Sequence, residues 1–240
     1  MSWVNTIPAH VEKEEDEAMN RRDLARYIDH TLLRPDATRD DIQKLVGEAL
    51  DWGCYAVCVN SGYVRDAVQF RRGAKGLHIA ATVGFPLGQA NTQGKVAEAR
   101  AAVEAGADEI DMVWNLGEFL SGAVEEVRAD IAAVVRAVGN TPVKVILETA
   151  RLTPDQMRRG AQIAVDAGAQ TVKTSTGVGF SGATREAVEI LRKTVGTDFG
   201  VKASGGIRRY IDAIDLIAAG ATRLGISQTG AVLAGAPGPT

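Results

Sequence analysis

Four glycines recur along the chain in one local setting and at similar intervals. Gly53, Gly106, Gly168 and Gly220 are separated by 53, 62 and 52 residues. Each closes an amphipathic stretch and opens a short apolar run, as Trp52-Gly53-Cys54, Ala105-Gly106-Ala107, Ala167-Gly168-Ala169 and Ala219-Gly220-Ala221. Glycine just past a last helical turn supplies the left-handed backbone that lets a helix stop and a strand begin. A single strand–helix–strand unit needs roughly 30 residues, so each interval has room for two strand–helix units. Four such quarters make eight strands and eight helices.

Local pattern agrees with that count. Apolar runs suited to strands fall near 27–33, 55–60, 79–85, 109–114, 143–148, 171–174, 200–203 and 223–226. Amphipathic stretches between them include 124–138 and 185–195, and Thr153-Pro154-Asp155-Gln156 is a helix start with a capping threonine, proline in the first turn and glutamine three residues on. Hydrophobic residues make up 45% of the chain and aromatics only 5%, a mix that suits parallel strands covered by helices. The expected fold is therefore α/β, a (β/α)₈ barrel in one domain spanning 1–240. A doubly wound open sheet is the alternative, although no Gly-x-Gly-x-x-Gly follows the first strand. Residues 1–22 are expected to form an extra N-terminal helical segment capping the barrel, and 234–240, rich in glycine and proline, a mobile tail.

Two lysines sit where an ammonium is costly: Lys173 in Val172-Lys173-Thr174-Ser175-Thr176-Gly177 and Lys202 in Val201-Lys202-Ala203-Ser204-Gly205-Gly206. Each lies inside an apolar strand and is followed by small residues. A buried amine is normally paired, shifted to its neutral form, or both. Two of them at the ends of consecutive strands point to a site where one amine is kept neutral by its neighbour and used as a nucleophile.

In this fold the active site lies at the C-terminal ends of the strands. The polar residues there are Asp29, His30 and Thr31 on the first strand, Cys58 and Asn60 on the second, and Glu109 and Asp111, which share a face, on the fourth. Lys144 and Glu148 share a face of the fifth and could form an ion pair inside the barrel. Glu109, at a strand start, suits a solvated or structural role; Asp111, flanked by Ile110 and Met112, suits a functional one. Asp29 is a candidate partner for a lysine. Ser204-Gly205-Gly206, opening a helix over 208–219, and Gly225-Ile226-Ser227 follow strands seven and eight, where barrels of this type hold phosphate; Thr176-Gly177 can add backbone donors.

Acidic and basic residues are mixed along the chain, 30 against 27, for a formal charge of −3. No basic stripe suggests a nucleic acid and no polybasic cluster or long apolar stretch suggests a membrane. His10, His30 and His78 are scattered without ligand spacing, so no metal is expected. Cys54 and Cys58, four apart in one expected strand and facing the same way, read as reduced thiols. The charged run 12–17 cannot serve as the apolar core of a secretory signal, and the expected setting is the cytoplasm.

With these motifs in hand, the sequence resembles the deoxyribose-phosphate aldolases. The resemblance runs from Tyr27 to about Leu233 and rests on Asp29-His30-Thr31-Leu32-Leu33, Glu109-Ile110-Asp111-Met112-Val113, Val172-Lys173-Thr174-Ser175-Thr176-Gly177 and Val201-Lys202-Ala203-Ser204-Gly205-Gly206-Ile207-Arg208. Their spacing fits as well, at 62 residues from Asp111 to Lys173 and 29 from Lys173 to Lys202. The resemblance implies a lysine Schiff base on Lys173, with Asp111 and Lys202 in the proton relay. It implies a phosphorylated sugar as substrate, met by Asp29, Thr31, Cys58, Lys144, Thr176, Gly177, Gly205, Gly206, Gly225 and Ser227. It implies no cofactor, and association of the chain with copies of itself, to which Trp3 and Val4 could contribute.

A free lysine has a pKa near 10.4, so only about one amine in a few thousand is neutral at pH 7. Repulsion from Lys202, with burial, is expected to favour neutral Lys173. The chain departs from the family at three places. Val178 stands where some members carry a lysine, Gln228 follows Ser227 where a pair of serines is common, and the tail ends Gly238-Pro239-Thr240 without a tyrosine. Other lysine aldolases of the same barrel, a transaldolase or a fructose-bisphosphate aldolase, are the nearest rival reading, and a barrel that binds a sugar phosphate without turnover is a second. Lys202 at its spacing from Lys173, together with Asp111, argues against both.

Overall fold

A computed structural model describes residues 18–237. Eight parallel strands form a closed barrel in chain order, each paired with the next and the last with the first. They are β1 (Ile28–Leu32), β2 (Ala56–Asn60), β3 (His78–Val83), β4 (Glu109–Val113), β5 (Val143–Ile146), β6 (Thr171–Lys173), β7 (Gly200–Ser204) and β8 (Arg223–Ile226). Between and around them run α1 (Arg21–Ala25), α2 (Arg39–Trp52), α3 (Val64–Arg71), α4 (Thr92–Glu104), α5 (Leu116–Leu120), α6 (Val124–Val138), α7 (Pro154–Asp166), α8 (Arg185–Val195), α9 (Tyr210–Ala218) and α10 (Thr229–Ala234). The barrel expected from the glycine spacing is the one that forms. Gly53 and Gly168 do end α2 and the turn after α7 with positive φ, 72° and 85°.

The helix start at Thr153 is a full capping box: its hydroxyl accepts from the Gln156 N–H while the Gln156 side chain accepts from the Thr153 N–H. Of the expected N-terminal segment, 1–17 lie outside the described residues, as do Trp3, Val4, His10 and the run 12–17. The last two residues of that segment begin α1, which continues to Ala25 and fully buries Leu24 and Ala25 before β1 begins. In the expected tail, Ala234 is the last residue of α10, and 238–240 lie outside the described residues.

Strand alternation sorts the barrel into two chemistries. One set of residues, including Val57, Val59, Ile79, Ile110, Met112, Val145, Val172, Val201 and Leu224, joins the apolar core with the helices. The other set is Asp29, Cys58, Ala80, Glu109, Asp111, Lys144, Lys173, Lys202 and Arg223, small or charged on nearly every strand. The register aligns them: Asp111 sits opposite Lys144, and Lys173 opposite Lys202, which sits opposite Arg223.

Two local expectations are corrected. Cys54 does not share a strand with Cys58. Its N–H bonds to the Ala49 carbonyl in the turn that closes α2, so the strand starts only at Ala56. The helix after Gly205-Gly206 begins at Tyr210 rather than 208, leaving a loop between the glycines and α9.

Candidate active site

Asp111, at the middle of β4, is the hub of a buried charge network. Its Oδ1 accepts from Lys144 Nζ at 2.7 Å, and its Oδ2 accepts from both Lys173 Nζ and Lys202 Nζ at 2.8 Å. Lys144 also pairs with Glu109 at 2.6 Å, Lys202 with Asp29, and Asp29 with Arg223 at 3.4 Å. The expected Lys144–Glu148 ion pair does not form. Glu148 lies beyond the end of β5 with φ 55°, which breaks the strand alternation that would have placed it on the Lys144 face. Glu109, for which a solvated role was one expectation, is buried and paired.

The charges set one another's protonation. Burial pushes Asp111 towards its neutral form, but Lys144, Lys173 and Lys202 outweigh it and hold the carboxyl well below the usual range. Burial likewise disfavours ionised Asp29, and Lys202, Arg223 and Lys144 prevail to lower it. Burial alone would discharge Lys202; Asp111 and Asp29 raise its pKa instead. Lys144 is raised in the same way, against its burial, by Asp111 and Glu109. Cys58 lies 3.9 Å from Asp111 Oδ2, and burial together with that carboxylate pushes its thiol up, away from the reactive thiolate.

A cavity of about 660 Å³ opens at the C-terminal ends of the strands, within the size range of small-molecule sites. Thr31, Thr176, Gly177, Gly205, Gly206, Gly225 and Ser227 line it, together with Lys173. Asp29, Cys58, Lys144, Asp111 and Lys202 do not reach its wall; they lie in the network around Lys173. Of the seven charged groups of that network, Lys173 alone lines the cavity.

The loops after β6 and β7 form one side of the cavity and are locked by close backbone contact. Ala183 N–H bonds to the carbonyls of Ser204 and Gly205, and a Cβ on Gly182 would fall 1.9 Å from the Gly205 oxygen. Arg34 and Arg208 also line the cavity and were not singled out from the sequence. Arg34 directly follows the Asp29–Leu33 motif and Arg208 is the last residue of the Val201–Arg208 one, so motif boundaries were the available signal. Among the described residues, no group of three or more His, Cys, Asp or Glu could hold a metal ion, and no helix is long and apolar enough to cross a membrane.

This site belongs to a known lineage. The model of the DeoC/LacD family aldolases matches residues 24–233. A deoxyribose-phosphate aldolase of Thermococcus kodakarensis is 48% identical over 222 residues, covering 91% of this chain and 99% of that protein. Among solved structures, a putative deoxyribose-phosphate aldolase from Coccidioides immitis superposes with a TM-score of 0.87 at 38% identity, covering 91% of this chain and 87% of that one. The deoxyribose phosphate aldolase from Aeropyrum pernix, described as tetrameric, has a TM-score of 0.83 at 37% identity over 90% of this chain and 91% of its own. A match across nearly all the described residues, in an eight-stranded barrel with a lysine facing its cavity, makes this chain a member of the DeoC/LacD family of aldolases.

Proposed function

We propose that this aldolase cleaves 2-deoxyribose 5-phosphate reversibly to glyceraldehyde 3-phosphate and acetaldehyde through a Schiff base on Lys173. One observation carries the assignment of the nucleophile: Lys173 is the single member of the charge network that lines the cavity. Charge balance supports it. The network holds four cations, Lys144, Lys173, Lys202 and Arg223, against three carboxylates, Asp29, Glu109 and Asp111. An unmatched buried charge is costly, and the lowest-energy remedy is to lose one proton. Lys144 and Lys202 each have two carboxylate partners, whereas Lys173 has one oxygen that it shares with Lys202. Lys173 is therefore the most weakly paired of the three lysines, and the one that reaches the cavity.

Neutral Lys173 attacks the aldehyde carbon of the open-chain sugar, forming a carbinolamine. Loss of water, with a proton delivered through Asp111 and Lys202, gives an iminium. Removal of the C3 hydroxyl proton turns C3–O into a carbonyl and breaks the C2–C3 bond. The bonding pair moves into the C1–C2 bond, and the iminium nitrogen takes up the charge as an enamine. Glyceraldehyde 3-phosphate leaves. Protonation of the enamine at C2 and hydrolysis of the iminium release acetaldehyde and restore the amine.

Phosphate is held at the loop side of the cavity by Gly177, Gly205, Gly206 and Ser227, with Arg34 and Arg208 adding positive charge where Val178 offers none. The tetrameric Aeropyrum relative supports self-association of this chain, and the exposed Leu87, Leu120 and Ile211 are apolar surface available to it. The buried free thiols Cys54 and Cys58 fit a cytoplasmic setting.

Incubation with 2-deoxyribose 5-phosphate and borohydride, followed by peptide mass spectrometry, tests the proposal. A reduced adduct on Lys173 is expected. An adduct on Lys202 would reverse the two lysines' roles, and no adduct with an intact fold would leave only a binding function.

A further inference from the structure

Glu148 follows β5 in the left-handed region, at φ 55° and ψ 60°. Among the described residues, Arg72 is the other non-glycine with positive φ, and it serves as the C-cap of α3. Glu148 ends no helix. Such a conformation is costly for a residue with a Cβ and persists where its surroundings enforce it. Here they do: the Leu147 N–H bonds to the Lys173 carbonyl at 2.9 Å and the Thr149 N–H to the Thr174 carbonyl at 2.8 Å, so the chain stays laced to β6 on both sides of the turn.

The carboxylate is buried, and its Oε2 accepts twice from one residue: from the Thr176 N–H at 3.2 Å and from the Thr176 hydroxyl at 2.5 Å. The same hydroxyl oxygen accepts from the Val178 N–H at 3.2 Å. A relay from Val178 through Thr176 to Glu148 therefore fixes three consecutive residues, Thr176, Gly177 and Val178, and all three line the cavity. Glu148 itself does not.

We propose that Glu148 is a positioning residue for the substrate's phosphate, acting through Thr176 to hold the loop after β6 in its binding conformation. This rests on the reading of the cavity's loop side as the phosphate site. A carboxylate suits the task because a charged acceptor holds its donors more firmly than a neutral one.

Steady-state kinetics on 2-deoxyribose 5-phosphate and on unphosphorylated 2-deoxyribose test it. Glu148→Ala is expected to raise KM for the phosphorylated sugar about tenfold, the scale of one lost charged hydrogen bond, with kcat held within about twofold. Its kcat/KM for 2-deoxyribose should stay within about twofold, since that substrate does not use the loop. Glu148→Gln keeps one oxygen able to accept both Thr176 donors and should restore KM to within about threefold of the parent. Glu148→Asp, which withdraws the acceptor by about 1.5 Å, should show the same selective rise and serves if the alanine variant does not fold. Equal losses on both sugars, or a fall in kcat alone, would overturn the role of Glu148. A parent enzyme that shows no preference for the phosphorylated sugar would remove the phosphate reading as well.

Discussion

Lys95 and Lys173 are both buried, both paired to an aspartate, and opposite in consequence. Lys95 on α4 is fully buried and bonds Asp130 on α6 at 2.7 Å. One cation meets one carboxylate between two helices, away from the cavity wall. Inside the barrel, Lys173 competes with Lys202 for one oxygen of Asp111, in a network with one cation too many, and it faces the cavity. On the proposal that Lys173 is the nucleophile, burial alone does not make a lysine reactive; an uneven charge count together with access separates the two.

The largest effect expected follows from removing the odd cation. Lys173→Ala should abolish borohydride trapping and lower turnover by at least about 10⁴-fold, since among the described residues no other lysine lines the cavity. Near-normal activity would sink the assignment. Next comes Lys202→Leu, which leaves three cations for three carboxylates and removes the second cation on Asp111 Oδ2. Loss of about 10²–10³-fold at pH 7 is expected, with the pH–rate profile displaced. An unchanged pH–rate profile would count against the charge-balance account. Lys202→Arg separates the two tasks of this residue, because a guanidinium supplies charge but passes no proton. Activity above that of the leucine variant would assign most of the effect to charge.

Lys173 and Lys202 were legible in the sequence because each interrupts an apolar strand, and strand alternation is easy to follow over a few residues. Asp111 was legible for the same reason. What alternation could not deliver was the partner list. Glu148 sits four residues from Lys144, a spacing that puts both on one face of a strand, yet the strand ends at Ile146 and a left-handed residue turns the chain. Nothing in Leu147-Glu148-Thr149 announces that turn, since glycine is its usual occupant. Glu109, at the start of its strand, was open to a solvated or a structural reading, and closure of the barrel favours the second by stacking it against Lys144 from the next strand. Lys95 carried no signal at all: a lysine on a helix is normally solvated, and only the packing of α4 on α6 buries it.

That second buried lysine sharpens the comparison through stability. Lys95→Met should leave the Asp130 carboxylate buried and unmatched and lower unfolding free energy by about 3–5 kcal/mol. Catalysis by the folded fraction should stay within about twofold, as the pair lies outside the cavity. Urea midpoints and kcat measured on the same preparation would check both halves. Pairing Lys95→Met with Asp130→Leu should recover most of the loss, because the cost lies in the orphaned charge. A drop in kcat matching the drop in stability would mean that the helix pair and the barrel network are one unit.

The smallest effect is a matter of pH. Asp29 and Asp111 have folded-state pKa values below those of the unfolded chain, where a free aspartate titrates near 3.9. Below about pH 4 the unfolded chain binds protons that the native network refuses, so stability must fall as pH falls. The contribution of these two groups is fully present above that point and is lost as pH drops through their folded values. Each group can add a slope of about 1.4 kcal/mol per pH unit in that window. Lys202 and Lys144 lie at the other limit. Their pKa values are raised, so their contribution holds below the ordinary lysine range and disappears only in strong alkali. Urea midpoints should therefore be insensitive to these groups between about pH 5 and 9, fall steeply in acid, and fall again only in strong alkali. Asp29→Asn should make the acid limb shallower by one proton's worth of slope, even though the variant begins from a lower plateau. An acid limb of the same steepness would show that Asp29 takes up no extra proton on unfolding, and that its pairing with Lys202 and Arg223 does not lower its pKa in the native protein.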